Sequence, residues 1–335
     1  MSLTKQLFEG VHTIEGEIGG RLLRLTLLVG EDASILLDTG CASDVEGLIL
    51  PALSEVGLSA TDLTWIVISH CDLDHVGGNQ GMKAAAPQAI LGCGHADLDQ
   101  VESPAALLSR RYDAFREDHG VFYDEEATAW IAEAAGQPQP VDVTFRGGEH
   151  FRLSADWQVE LLHTPGHSRG HLAILDLKHR ALYGADAIHG SSIPDLEGKP
   201  VMPPTYLYVE RYLDTIRLIE HLDLDLFTTC HWPLARSREE IATFCAESRG
   251  LVEQADRLLL EAIKGSGGDG VSLRELCEQV GPALGDWPES AHTECCYIFS
   301  GHLARMESFG LVEIDQMHID RMNPKSSPRR YRARS

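Results

Sequence analysis

Apolar residues recur along this chain in two rhythms. Short β-branched and leucine-rich runs at residues 21–29 and 34–38, split by Gly30-Glu31-Asp32, read as a hairpin. Runs at 65–69, 88–91, 141–145, 157–163, 181–183 and 225–229 read as further strands, because each is too short for a helix. A 3.6-residue spacing predicts helices over 44–56, 209–221 and 238–263, then over 272–280 and 291–309, before a last strand at 310–314. Ser272-Leu273-Arg274-Glu275 has capping-box spacing, which marks a helix start. Residues 96–138 are helical in pattern and interrupt the strands, as either a lid or a helical pair packed on the sheet. Arg110, Arg111 and Tyr112 in this insertion could line a pocket for an anion or lie in solvent. The Pro- and Gly-rich stretch from 190 to 206 is long for a structureless connection, a mark of functional loops.

Several strand-like runs end in groups that bind metals. After the run at 65–68 comes His70-Cys71-Asp72-Leu73-Asp74-His75, four potential ligands in six residues, and Gly77-Gly78 then allow a tight turn. Imidazoles and carboxylates at this density suit a divalent cation, which would offset the cost of gathering them. The plain alternative is a polar loop that caps the next helix. Downstream, His167 follows the run at 157–162, Asp186 follows 181–183 and His231 follows the 225–229 run. Upstream, Asp38-Thr39-Gly40 closes another strand. Strand ends fix the backbone while loops present side chains, as α/β enzymes require.

In this order, Asp38-Thr39-Gly40, His70-x-Asp72-x-Asp74-His75, His167, Asp186 and His231 resemble the metallo-β-lactamase superfamily, over roughly residues 8–235. The resemblance implies an α/β fold: an αββα sandwich, here with a helical insertion and a small C-terminal α+β domain. It implies two divalent metal ions, one held by His70, Asp72 and His167, the other by Asp74, His75 and His231, with Asp186 bridging and Asp38 supporting the ligand loop. Zinc is the metal the family implies. Most members carry histidine where this chain has Asp72, and a third carboxylate hardens the site, which admits manganese or iron. In a second arrangement Asp72 does not ligate and one metal binds tightly. The implied activity is a metallo-hydrolase that directs a metal-bound hydroxide at a small ester, lactone or thioester. A phosphodiesterase or nuclease, and an iron-dependent oxidoreductase of the same fold, are the alternatives. Asp74 is a catalytic candidate. His189, three residues after Asp186, would orient substrate or protonate the leaving group, unless it is a solvated loop histidine. Tyr206 and Tyr208 are further candidates, whereas His163, His171 and His95 read as structural or surface residues.

Composition narrows these choices. The 335 residues are 43% hydrophobic and 24% charged, ordinary for a globular protein, with a net charge of −23. So acidic a chain repels polyanions, which makes nucleic acid an unlikely partner and a small molecule the expected substrate. No apolar run reaches the roughly 18 residues of a membrane span, and the first residues lack a signal-peptide core. Eight scattered cysteines without a CxxC pair fit a reduced, cytoplasmic location, and they include no cluster that would ligate iron–sulfur. The chain divides into 1–245, 246–321 and a basic tail at 322–335. Helix, helix and strand in the second segment resemble a winged-helix module. Its acidic Glu275, Glu278 and Asp286 suit packing or a homodimer contact better than DNA. The tail, with Lys325, Arg329, Arg330, Arg332 and Arg334 after Asp320, reads as solvated.

Overall fold

The computed structural model describes residues 2–315 and 328–334. Seven strands form one sheet in chain order: β1 (Thr4–Phe8), β2 (Val11–Ile18), β3 (Arg21–Val29), β4 (Ser34–Leu37), β5 (Trp65–Ile68), β6 (Ile90–Gly94) and β7 (Val143–Phe145). The first four are antiparallel; β4 to β7 run parallel, so helices must carry the chain back between them. A second sheet uses β8 (His150–Ser154), β9 (Trp157–His163), β10 (Leu172–Asp176) and β11 (Ala181–Tyr183). After a short ribbon of β12 (Ile193–Pro194) and β13 (Pro200–Met202), the helix Val209–His221 leads to β14 (Leu226–Thr228), which lies parallel to β11.

Side-chain alternation decides how these layers stack. Ile35, Leu37 and Val67 point inward and meet Leu161, Ile174 and Tyr183 of the second sheet. Their neighbours Leu36, Ile66 and Ile68 point outward, beneath helices that bury Ile49, Leu53 and Met82. Each such buried side chain stabilises the fold by about 1.5–3 kcal/mol. The result is an αββα sandwich, and the loops at the C-terminal ends of β5, β11 and β14 reach the same edge.

The helix Arg238–Gly265, capped by Ser237, runs unbroken through residues 245 and 246. Beyond it lie β15 (Val271–Ser272), the helix Leu273–Leu284, the helix Cys295–Ser308, β16 (Val312–Asp315) and β17 (Arg330–Ala333). Ser272 and Glu275 form the expected capping box. This module shares one continuous core with the outer face of the second sheet: Leu259, Leu276 and Phe299 join Tyr212 and Phe227.

Where a solvated tail is expected, residues 330–333 form the middle strand of a three-stranded sheet, between β15 and β16. Tyr331 is buried, while Arg330 pairs with Glu275 (3.1 Å) and Arg329 with Asp118 (2.6 Å). Arg-Tyr-Arg-Ala alternates as a strand should, but its one large apolar residue is hidden by basic composition. Asp320 and Lys325 lie outside the described residues. The 96–138 insertion is a series of short helical segments, and residues such as Leu107 and Ile131 bury against the first sheet. Among the described residues no helix is long and apolar enough to cross a membrane.

Candidate metal centre

Asp38 follows β4 in a left-handed conformation (φ 70°), which Asp tolerates better than most residues. That turn aims its carboxylate at the ligand loop. It accepts from the Ser69 N–H at 2.7 Å and the Ser69 hydroxyl at 2.8 Å, and lies 2.8 Å from His75 Nδ1. Thr39 adds two bonds to the His75 carbonyl. With Nδ1 engaged, His75 presents Nε2 to the site, and the same logic orients the others. His231 Nδ1 donates to the Leu22 carbonyl at 2.7 Å, and His70 Nδ1 lies 2.9 Å from the Ser69 hydroxyl.

His167 is delivered by the turn after β9. Gly166 has φ 149°, and a Cβ there would sit 2.5 Å from the Tyr212 Cα. Asp97 holds the other side of this turn by accepting from Ser168 Oγ and, at 2.8 Å, from the Gly170 N–H. Gly166→Ala therefore combines backbone strain with a clash against backbone. It should destabilise the fold by about 2–3 kcal/mol, read as a lowered denaturant midpoint. An unchanged midpoint would show that the turn relaxes.

All seven candidates converge. His231 Nε2 lies 3.3 Å from Asp74 Oδ2 and 3.4 Å from Asp186 Oδ2, and His75 Nε2 lies 3.7 Å and 3.9 Å from the same two oxygens. Tetrahedral ligands at about 2.1 Å from an ion are about 3.4 Å apart, so each of these four imidazole–carboxylate distances is close to the spacing within a cation's shell. His70 Nε2, His75 Nε2 and Asp186 Oδ1 are buried without a hydrogen-bond partner, a costly state that a cation would relieve. The residues thus fit a divalent ion. Cys230 Sγ falls in the same group as Asp74, His75 and His231, a donor that the motif pattern in the sequence does not include.

The other half of the site differs. His167 Nε2 lies 3.1 Å and His70 Nε2 4.0 Å from Asp72 Oδ2. Asp72 is also gripped by Arg111, whose Nε and Nη2 donate to its two oxygens at 2.8 and 2.9 Å. Burial alone would raise the Asp72 carboxyl, but Arg111, His167 and His70 outweigh it and hold it well below the usual carboxylate range. Arg111 is buried and stacks on the Tyr297 ring, 4.6 Å from its centroid, whereas Arg110 is exposed and pairs with Asp99. Tyr112 accepts the Leu73 N–H.

His189 is fully buried, with Nε2 3.8 Å from Asp186 Oδ2 and its ring against His167, Tyr212 and Trp232. Burial brings it down to about 4, against the pull of Asp186. His171 is also buried, bonded to Thr164, while His163 and His95 are exposed. Tyr206 bonds His302 in the C-terminal core, and Tyr208 packs under Arg169.

Above the site lies a cavity of about 190 Å³. Asp72, Asp74, Asp186 and His231 form its floor, Ile18, Trp130, Ile193 and Met202 supply an apolar wall, and Arg111, Tyr123, Glu294 and Tyr297 complete the lining. Tyr123 donates to Glu294 at 2.7 Å, and its hydroxyl lies 3.2 Å from that of Tyr297. Glu294 and Tyr297 come from the C-terminal module and carried no signal in the sequence, because only tertiary packing brings them here.

Comparison with known proteins bears on the family and the fold. The profile of the Metallo-beta-lactamase superfamily matches residues 20–231. An N-acyl homoserine lactonase of a Bacillus species is 26% identical over 171 residues, which are 44% of this chain and 56% of the lactonase, little more than half its length. A metallo-beta-lactamase family protein of Thermus thermophilus is 19% identical, with 98% of this chain and 100% of that one superposed at a TM-score of 0.71. A beta-lactamase domain protein of Burkholderia ambifaria is 16% identical, covering 99% and 94% at 0.73. At these identities the two structures share the fold.

Proposed function

We propose that this chain, which belongs to the metallo-β-lactamase superfamily, is a metal-dependent hydrolase of a small ester, lactone or thioester. The observation that carries the reading is the convergence of His75, His231, Asp74 and Asp186 donor atoms on the floor of a small, partly apolar cavity. A divalent cation bound there supplies Lewis acidity and a water acidified toward neutral pH. The chain's own residues do the rest. The apolar wall receives the hydrocarbon part of the substrate and keeps water from its far side. Asp74 borders the cavity, and we assign it the proton of the attacking water. Burial depresses His189 to about 4, so its imidazole is uncharged at neutral pH, and we assign it the positioning of Asp186. The lactonase relative supports a cyclic ester as the first substrate to try. A cavity of about 190 Å³ is small for a polymer.

The test is turnover of a panel of lactones, thioesters and phosphodiesters by protein loaded with zinc, manganese or iron. Lactone or thioester hydrolysis that a chelator abolishes supports the reading. Hydrolysis of phosphodiesters alone would transfer it to the phosphodiesterase class, and activity untouched by chelation would overturn it.

Metal affinity should rise with pH. Burial would lower both imidazoles, but Asp38 and Asp74 beside His75, and Cys230 and Asp186 beside His231, raise them well above the ordinary value. Without metal these groups hold protons that an incoming ion must displace, so acid opposes loading. Competition against a chelator should give higher affinity at pH 8 than at pH 6, by up to about tenfold per unit for each proton released. Equal affinities would contradict this.

A further inference from the structure

We propose that this centre holds one divalent cation, in the half formed by Asp74, His75, Asp186 and His231, and that the Arg111 guanidinium is a built-in cation in place of the second. The inference deepens the hydrolase reading and rests on it. Three observations carry it.

The first is geometric. Arg111 Nη2 lies 2.9 Å from Asp72 Oδ2 and 3.4 Å from His167 Nε2, while those two atoms are 3.1 Å apart. The amino group therefore closes a triangle with two of the three donors that a second ion would need. Both Asp72 oxygens are engaged in the fork geometry that suits guanidinium and carboxylate. The second is charge. Asp72 is balanced by Arg111, so of the carboxylates that face the cation Asp74 and Asp186 remain to balance one doubly charged ion. A second ion would bring two further positive charges against a buried guanidinium. The third is how Arg111 is held. It is 3% exposed, stacked on Tyr297, and donates weakly to the Thr205 carbonyl at 3.4 Å, so it is packed into the site and not a surface arginine folded over it. His70 is not stranded by this arrangement. Its ring falls within 4.8 Å of donor atoms of His75 and Asp186, as it also does with those of Asp72 and His167, so it can serve the retained ion.

Arg111 also borders the cavity, with Nη1 unpartnered among the described residues. The fixed charge thus keeps the electrostatic part of the missing ion's task. It cannot supply a water ligand, so Asp72 becomes a partner for Arg111 and not a metal ligand.

Metal stoichiometry tests this without any substrate. Protein reconstituted with excess zinc or manganese and then desalted should hold one equivalent by elemental analysis, and the manganese form should give the EPR signal of an isolated ion. Two tightly held equivalents in the unaltered protein would overturn the inference while leaving the hydrolase reading intact; no bound metal at all would overturn both. Arg111→Met keeps much of the side-chain volume, removes the charge and frees Asp72. The folded variant should bind a second equivalent, with a spin-coupled manganese signal, and a folded variant that still binds one would contradict the role given to Arg111. Should that variant not fold, Asp72→Asn decides the point along with the unaltered protein: it should retain its single ion, and loss of that ion would make Asp72 a ligand.

Discussion

Asp186→Ala should abolish metal loading and lower hydrolysis by more than about 10³-fold, the order that loss of a transition-state charge stabiliser costs. Asp186 Oδ2 sits within 3.9 Å of the Nε2 atoms of His75, His231 and His189, and no other carboxylate among the described residues touches all three. Without it the two raised imidazoles lose part of what favours a cation between them. Asp186→Asn is the sharper form, because it keeps volume and a carbonyl oxygen while removing charge. Elemental analysis and turnover would be measured on protein shown to be folded by circular dichroism. Either variant retaining its metal and its rate would sink the assignment of this residue.

The second large effect is expected some distance from the cation. Asp38→Ala strands the Ser69 N–H and His75 Nδ1, both buried, and places alanine at φ 70°. Each buried orphan costs about 1–3 kcal/mol, and the strained backbone adds to this, so a loss of about 3–5 kcal/mol is expected in denaturant unfolding. Metal affinity should fall about 10–100-fold, because His75 is no longer held with Nε2 toward the site. Asp38→Asn tolerates the same backbone and keeps an acceptor, so it should recover most of the stability but less of the affinity. If both variants bind metal normally, the clamp is structural only.

Much of this was readable from the chain because sheets turn spacing into geometry. Alternation in Ile35-Leu36-Leu37 and Ile66-Val67-Ile68 assigns inner and outer faces, and a polar residue just beyond such a run must emerge at the sheet edge. That is why His70, Asp186 and His231 could be grouped although 161 positions separate the first from the last. Arg111 was visible only as a candidate to line a pocket. Its pairing with Asp72 depends on how the insertion packs, and no local period encodes that. Glu294 and Tyr297 were hidden for the same reason. The strand at 330–333 was hidden by composition, since arginines that pair with Glu275 and Asp118 read, in isolation, as solvated charge.

The cavity's composite origin bears on how such a protein can diverge. The cation-facing side chains come from the strand ends of the sandwich, while Glu294 reaches the cavity from the appended module and bonds Tyr123 rather than any of them. Changes at 294 can therefore alter which substrates fit without removing any cation-facing side chain. Tyr297 has no such freedom, because the ring beneath Arg111 ties it to Asp72. Selection on substrate choice thus has one position open to it and, a single helical turn away, one that is closed.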